Sequence, residues 1–544
     1  MYKIELSESH FPAVDSEPVL ETTVGSVIRE AALNAPDTIA LIEGISDPST
    51  RRRWTYKELL AETEKVSRAL CSRYEPGERV AIWANNIPEW VIMEFAAAIA
   101  GVVLVTVNPV YKPKELEYVL SQSEAAGLYL IPEYRGESLL DSVASVRHNL
   151  PHLRDIVNIL DWTAVCSLGE RSPEFPDVTP DFPVQIQYTS GTTGFPKGVF
   201  LHHRGITNNA RFCAQRFNFT ENDSWINFMP LFHTAGCVMS VLGAVQAKGT
   251  QIVVPNFKAD LVLDLIEQEK ATSFFAVPTM LIGLMEMQAK TPRDISSLRG
   301  AVTGGSMVSR ALARRVRAEL DISLQILFGQ TETSPVLTVA WENDSEEDLT
   351  TTIGQPLPQT EIAIKDKDGN IQPVGEVGEI CIRGYSVMYG YYNMPEETAK
   401  TIDADEWLHT GDLGCMDSRG YLKITGRLKD MVIRGGENIF PAEIENVILE
   451  HPAVDQAIVI GVPDEQWGEV LVGFVRSANS SIVPGAGEIM DHCLNYLSRH
   501  KVPKQWVYID EWPVTPSGKI QKFVLREAFI AGEYTVATKE TTTV

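Results

Sequence analysis

The 544-residue chain lacks several features that would have narrowed its role quickly. Its most apolar run, Phe95 to Val107, is split by Gly101 and falls short of the ~20 residues a spanning helix needs, so no membrane span is expected. The start, Met-Tyr-Lys-Ile-Glu-Leu-Ser-Glu, has no basic-then-apolar leader, and the final Thr-Thr-Thr-Val matches neither a prenylation box nor a Ser-Lys-Leu address. Cysteine is sparse: seven residues, an odd number with no paired spacing, which argues against a disulfide framework and for a reducing, cytoplasmic setting. Positive charge is scarce too. Lys and Arg number 47 against 72 Asp and Glu, a formal net charge of −25. That disfavours nucleic acid and anionic lipid as partners, and any anionic ligand must be held by local cations.

What is present is an ordinary globular composition, 44% hydrophobic and 22% charged, in a chain long enough for more than one domain. Strand-like runs at Arg79–Trp83, Val102–Val107, Gln251–Val254, Ser273–Val277, Gly300–Thr303 and Ser323–Phe328 alternate with helical patterns at Trp90–Ala100, Leu261–Glu269 and Ser309–Glu319. This alternation predicts an α/β fold with doubly wound, mostly parallel sheets. From Gly354 to Ile382 the helices give way to turn-rich sequence, read as a small antiparallel β region. A compact α+β pattern then runs from Pro441 to Phe523. The boundary is placed at Arg427–Asp430, giving a large body over 1–428 and a small one over 429–544. The Thr-rich tail after Ala528 reads as frayed.

The most informative stretch is Tyr188-Thr-Ser-Gly-Thr-Thr-Gly-Phe-Pro-Lys-Gly-Val199. Four hydroxyls (Thr189, Ser190, Thr192, Thr193), the glycines Gly191 and Gly194, and Lys197 suit a loop that wraps a polyphosphate. The spacing is not that of a P-loop NTPase. The preceding residues, Phe182 to Tyr188, alternate as a half-buried strand does, so the loop leaves a strand end. Further on, Phe328-Gly-Gln-Thr-Glu332 offers a ring face, a hydroxyl and a hard oxygen ligand suited to Mg2+. Thr303-Gly-Gly-Ser306 is a strand-end glycine pair. His409-Thr-Gly-Asp412 carries an acid suited to ribose hydroxyls. Taken singly, the last two read equally as ordinary turns.

Together these segments resemble the adenylate-forming superfamily of acyl-CoA synthetases, amino-acid adenylation domains and beetle luciferases. Six motifs stand in that family's order over essentially the whole chain. Four of the six are given above, and the other two are Gly426-Arg-Leu-Lys-Asp-Met-Val-Ile-Arg-Gly-Gly-Glu-Asn-Ile-Phe-Pro441 and Pro513-Val-Thr-Pro-Ser-Gly-Lys-Ile-Gln-Lys522. The resemblance implies that Thr189 to Gly194, Lys197, Gly305, Ser306, Phe328, Gly329, Gln330, Thr331, Asp412, Ile424 and Arg427 bind ATP or AMP. It implies Glu332 as the Mg2+ ligand and Lys519 as the lysine that neutralises charge where carboxylate meets α-phosphate. Thr331, Lys197 and His233 complete the implied catalytic set. Lys429 takes the hinge position, and Gly435 and Gly436 lie beside a coenzyme A tunnel. Met229-Pro-Leu-Phe-His-Thr-Ala-Gly236 matches the acyl-pocket segment, with His233, Cys237, Val238 and Gly304 expected to line it.

Within the family, amino-acid substrates are disfavoured, since no aspartate lies near Phe232-His233-Thr234 to pair an ammonium. The best likeness is to acyl-CoA ligases acting on medium- or long-chain acids, and a bulky alicyclic acid also suits an apolar lining. Two rivals stay open: an acyl-AMP ligase serving a carrier protein, and a non-catalytic nucleotide or acyl binder. Homodimers are common in the family. A zinc site built on His202, His203, His233 and Cys237 is not expected, for want of ligand spacing.

Overall fold

The computed structural model describes residues 1–171, 173–189, 196–306, 308–478, 483–515 and 518–539. Two large sheets dominate. One has seven strands, in which Pro183–Thr189, Val103–Val107, Arg79–Trp83, Gly127–Leu130 and Asp155–Asn158 run parallel. The other has nine strands, with a parallel centre made by Ser323–Gly329, Gly300–Thr303, Ser273–Ala276, Ser224–Asn227, Thr250–Val253 and Ile39–Glu43. The α/β architecture expected from strand–helix alternation is therefore observed, with boundaries shifted by a residue or two.

Local chemistry explains the helix limits. Pro88 opens the buried helix Pro88–Ala100, where its missing N–H costs nothing, and Gly101 closes it at φ 67. Ser309 caps Arg310–Leu320 by accepting the Leu312 amide.

Three features depart from the sequence reading. The strand Pro183–Thr189 has a return strand that the sequence reading did not include. It pairs antiparallel with Lys197–His202, Thr189 opposite Lys197, and Val199 then faces Tyr391 of the edge strand Gly390–Tyr391. The antiparallel region extends beyond Ile382 to Arg427 and recruits His10–Phe11 from the far N-terminal end. The tail is docked rather than frayed through its described part: Ala537 and Trp506 exchange backbone hydrogen bonds of 2.8 and 2.9 Å.

Residues beyond Met431 build cores of their own, one around Val432, Ile444, Val475 and Trp506, another around Ile458, Phe474 and Leu525. Their sheet joins Val454–Asp464 and Gly468–Ser477, with Gln505–Tyr508 alongside in parallel. No helix among the described residues is long and apolar enough to cross a membrane. All seven cysteines are free.

Candidate active site

Four strand ends and one turn converge here. Lys519 follows Gly518, and Thr515 braces the turn: its amide donates to the Lys519 carbonyl and its hydroxyl accepts the Lys519 amide. The turn is docked on the large body. Thr279 Oγ1 donates to the Gly518 carbonyl at 3.0 Å, and Val277 lies against Gly518. The Lys519 side chain runs past Gly305, where a Cβ would sit 3.3 Å from its Cε. Gly305 is at φ 77, so its glycine answers both to backbone conformation and to this close approach. Burial lowers the Lys519 pKa to about 8. Arg427 and Lys429 push the same way, while Asp412 and Glu332 oppose them. A lysine 187 residues from Glu332 in sequence thus shares an electrostatic environment with it.

Asp412 is buried opposite Arg427 in the antiparallel pair Leu408–Met416 and Leu422–Arg427, and accepts Arg427 Nε at 2.6 Å. Burial raises its pKa against the pull of Arg427. The turn that presents it is anchored from below. Glu379 accepts the Gly411 amide at 2.9 Å and pairs with His409 Nδ1 at 2.8 Å, while Thr410 Oγ1 donates to the Ile380 carbonyl. Glu379, Cys381 and His409 are close enough to hold a metal ion, but their polar atoms already bond to one another and to this turn. His409 and Glu379 were not singled out from the sequence, since nothing local shows that Glu379 faces the turn. Ile424 lies half-buried on the strand facing Gly414.

Thr331 is buried and Glu332 half-buried in a single 3-10 turn after the strand Ser323–Gly329, which also carries Phe328; Gln330 precedes the turn. Gly329 is packed so closely on the Pro335 carbonyl that a Cβ would come within 2.0 Å of it. Lys197 ion-pairs with Glu397 at 2.5 Å. Gly304 packs on Leu327, and Ser306 is exposed at the strand end. Ser190, Gly191, Thr192, Thr193 and Gly194 lie outside the described residues; Thr189 is the last residue of its strand.

His233 accepts the Ala235 amide on Nδ1 at 3.2 Å, which places the proton of the neutral ring on Nε2. Burial lowers its pKa to about 3, and Lys519 acts in the same sense. After it, Ala235–Leu242 forms a π-helix, which alters which side chains share a face. Cys237 and Val238 pack in the core of the seven-stranded sheet, while Ala235 and Met239 join the core of the nine-stranded one. The Cys237 thiol accepts Gln187 Nε2 at 3.1 Å, in a buried polar seam that continues through Gln185 to Glu94. Cys237 is thus committed to a polar neighbour rather than to an apolar lining. Gly435 and Gly436 stand apart from these groups. They are exposed in the turn between Val432–Arg434 and Glu437–Ile439, at φ 60 and 87, with Trp467 beside Gly435. Lys429 is exposed in a 3-10 turn, Leu428–Asp430, just after Arg427.

A buried acid beside an arginine, a carboxylate and hydroxyl on a strand-end turn, and a lysine brought in from a separately cored region define a nucleotide-dependent acid-activating site. The comparisons agree. Residues 28–392 match the model of the AMP-binding enzyme family, and residues 443–519 match that of the AMP-binding enzyme C-terminal domain. The Bacillus subtilis chain YngI, which carries the name of an acyl-CoA synthetase, is 38% identical over 94% of this chain and 98% of its own. The mitochondrial medium-chain acyl-CoA ligase ACSF2 of Mus musculus is 33% identical over 94% of this chain and 88% of its own. The ATP-bound crystal structure of MatB from Rhodopseudomonas palustris superposes with a TM-score of 0.84 at 28% identity, covering 94% of this chain and 99% of that one. The chain belongs to the AMP-binding enzyme family, in the acyl-CoA synthetase branch of the adenylate-forming superfamily. It is an acid–thiol ligase.

Proposed function

We propose that this ligase activates an apolar carboxylic acid with ATP through an acyl-adenylate and passes the acyl group to coenzyme A, releasing pyrophosphate and AMP. The observation that carries this reading is the delivery of Lys519, on a turn docked by Thr279, to Gly305 and into the field of Asp412 and Glu332. The relatives named above supply the reaction class, and the mouse ligase favours a medium-chain acid. A bulky alicyclic acid also suits the apolar side chains Ala235, Met239 and Val336.

In this reading Asp412 accepts the ribose hydroxyls, and Arg427, already on its carboxylate, turns to ribose or phosphate. The loop from Thr189 to Gly194, with Lys197, binds the phosphates, and Thr331 donates to the α-phosphate. Phe328, Gly329, Gln330, Gly305, Ser306 and Ile424 frame the base and sugar. Buried hydroxyls of Thr234, Thr303 and Thr425 have no partner among the described residues, and a polar ligand would supply one. Glu332 suits Mg2+, whose chemistry when bound is to screen triphosphate charge. Lys519 stabilises the negative charge that builds up as the acid's carboxylate approaches the α-phosphate. His233 and Gly304 border the acyl group. For the second half-reaction the small body, from residue 429, turns about Lys429. It withdraws Lys519 and brings Gly435 and Gly436 to the thiol path. Seven free cysteines favour a reducing, cytoplasmic compartment.

Mass-spectrometric product analysis with ATP, Mg2+, coenzyme A and a panel of acids from acetate to long-chain, aromatic and polycyclic tests this. AMP together with an acyl-CoA is the expected result. Acyl-AMP without thioester would replace coenzyme A by a carrier protein, and no turnover with any acid would overturn the reading.

A further inference from the structure

Lys197 and Glu332 carry opposite charges into one small space, and free opposite charges pair. A direct pair between them would commit the Glu332 carboxylate to the lysine rather than to a ligand. They do not pair here. Tyr391 stands against both. Its hydroxyl donates to Glu332 Oε1 at 2.9 Å, and the face of its ring lies 4.8 Å from Lys197 Nζ. Glu332 Oε2 keeps no hydrogen-bond partner among the described residues. The far side of Lys197 is held by Glu397, which also takes Lys400 at 2.6 Å.

The segment bearing these groups is a fitted bracket. The Met388 amide donates to the Glu332 carbonyl, Tyr391 faces Val199 in the sheet, and the Tyr391 amide donates to Thr398 Oγ1 at 2.9 Å. Tyr391 is 8% exposed, so its ring is fixed by packing.

We propose that Tyr391 is a positioning residue of the phosphate site: it keeps Lys197 and Glu332 from neutralising each other, its ring presenting the lysine to the nucleotide and its hydroxyl turning one free carboxylate oxygen toward the divalent cation. This rests on the nucleotide-site reading above and adds a residue that the motifs do not contain.

The test separates ring from hydroxyl by equilibrium binding of ATP to the full chain, without acid or coenzyme A, once in EDTA and once in excess Mg2+. Thermal unfolding of each variant reports its fold. Tyr391→Phe keeps the ring and its packing. It should bind metal-free ATP within about twofold of the parent while losing about fivefold or more of the gain that Mg2+ gives, the scale of one hydrogen bond to a charged group. Tyr391→Leu removes the ring as well, and should also weaken metal-free binding by about threefold to tenfold. Parent-like binding by both variants in both conditions would overturn the inference. So would a Tyr391→Phe variant that keeps the full gain given by Mg2+, which would mark Tyr391 as packing alone. If the parent chain itself bound no ATP, the site reading would fall and this inference with it. A failure confined to the variants leaves that reading standing.

Discussion

Lys519 and Gly436 both lie in the small C-terminal region, yet their surroundings are opposites. Lys519 is half-buried, close to Gly305 and within the field of Asp412 and Glu332. Gly436 is exposed, with no atom within 4 Å of the position a Cβ would take. Under the function proposed above, this contrast is that between the acid-activating half of the site and the thiol half, which would need the proposed turn about Lys429. Two contacts that hold this orientation, Thr279 on Gly518 and the 3.5 Å ion pair of Glu286 with Arg476, both come from the helix Pro278–Lys290.

The sharpest way to break this contrast is Lys519→Ala. Acyl-AMP formation should fall by about a hundredfold to a thousandfold, the scale of losing one preorganised charge-stabilising group. Thioester formation from supplied acyl-AMP should stay within a few-fold of the parent. Equal loss in both half-reactions, measured separately, would show that Lys519 serves both orientations.

Lys429→Pro comes next. Lys429 lies in a 3-10 turn, whose ordinary φ of about −50 to −70° is near what proline imposes, so the alternative orientation should be disfavoured more than the present one. Acyl-AMP formation should change by less than about fivefold and thioester formation should drop about tenfold. Unchanged rates in both would remove Lys429 from the hinge.

The third lever is pH. Lys519 is held down at about 8 rather than 10.5, so it is cationic below that value and neutral above it. The kcat/KM for acyl-AMP formation, which reports the free enzyme, should decline about tenfold per unit above pH ~8. Lys519→Arg should move that decline beyond pH ~10. An alkaline limb that ignores this substitution would belong to another group.

The smallest effect is expected from Glu286→Lys. An exposed ion pair contributes ~0–1 kcal/mol, so acyl-AMP formation should fall by no more than about fivefold. Arg476 is left in place because it also pairs with Asp455 at 2.7 Å. No fall at all would show that the Glu286 contact does not help set the orientation.

Much of the site was legible because its motifs are short and contiguous: each of Phe328 to Glu332, His409 to Asp412 and Gly518-Lys519 declares its residue types within a few positions. The central strands were legible from apolar runs. What escaped is long-range. Glu397 reaches Lys197 across 200 positions and Tyr391 reaches Glu332 across 59, and neither carries a local signal. The return strand Lys197–His202 was hidden because its first residues also belong to the loop motif. The resemblance sets Cys237 and Val238 beside the acyl group, whereas both pack in the first core along a π-helix, whose turn differs from that of an α-helix. Glu94 was masked by its helix, in which every residue is buried and nearly all are apolar. Its pKa is pushed up to about 8 by that burial, so an apolar-looking helix conceals a carboxyl group kept protonated at neutral pH.

Trp467, which flanks Gly435, is the only one of the ten tryptophans that is exposed. The chain therefore carries its own optical gauge. Water quenches and red-shifts an exposed indole, so a turn that pressed the Gly435–Gly436 face against the large body would brighten and blue-shift this emitter over a background of nine buried or half-buried ones. Time-resolved emission after mixing with coenzyme A would then read the rotation in the unlabelled protein.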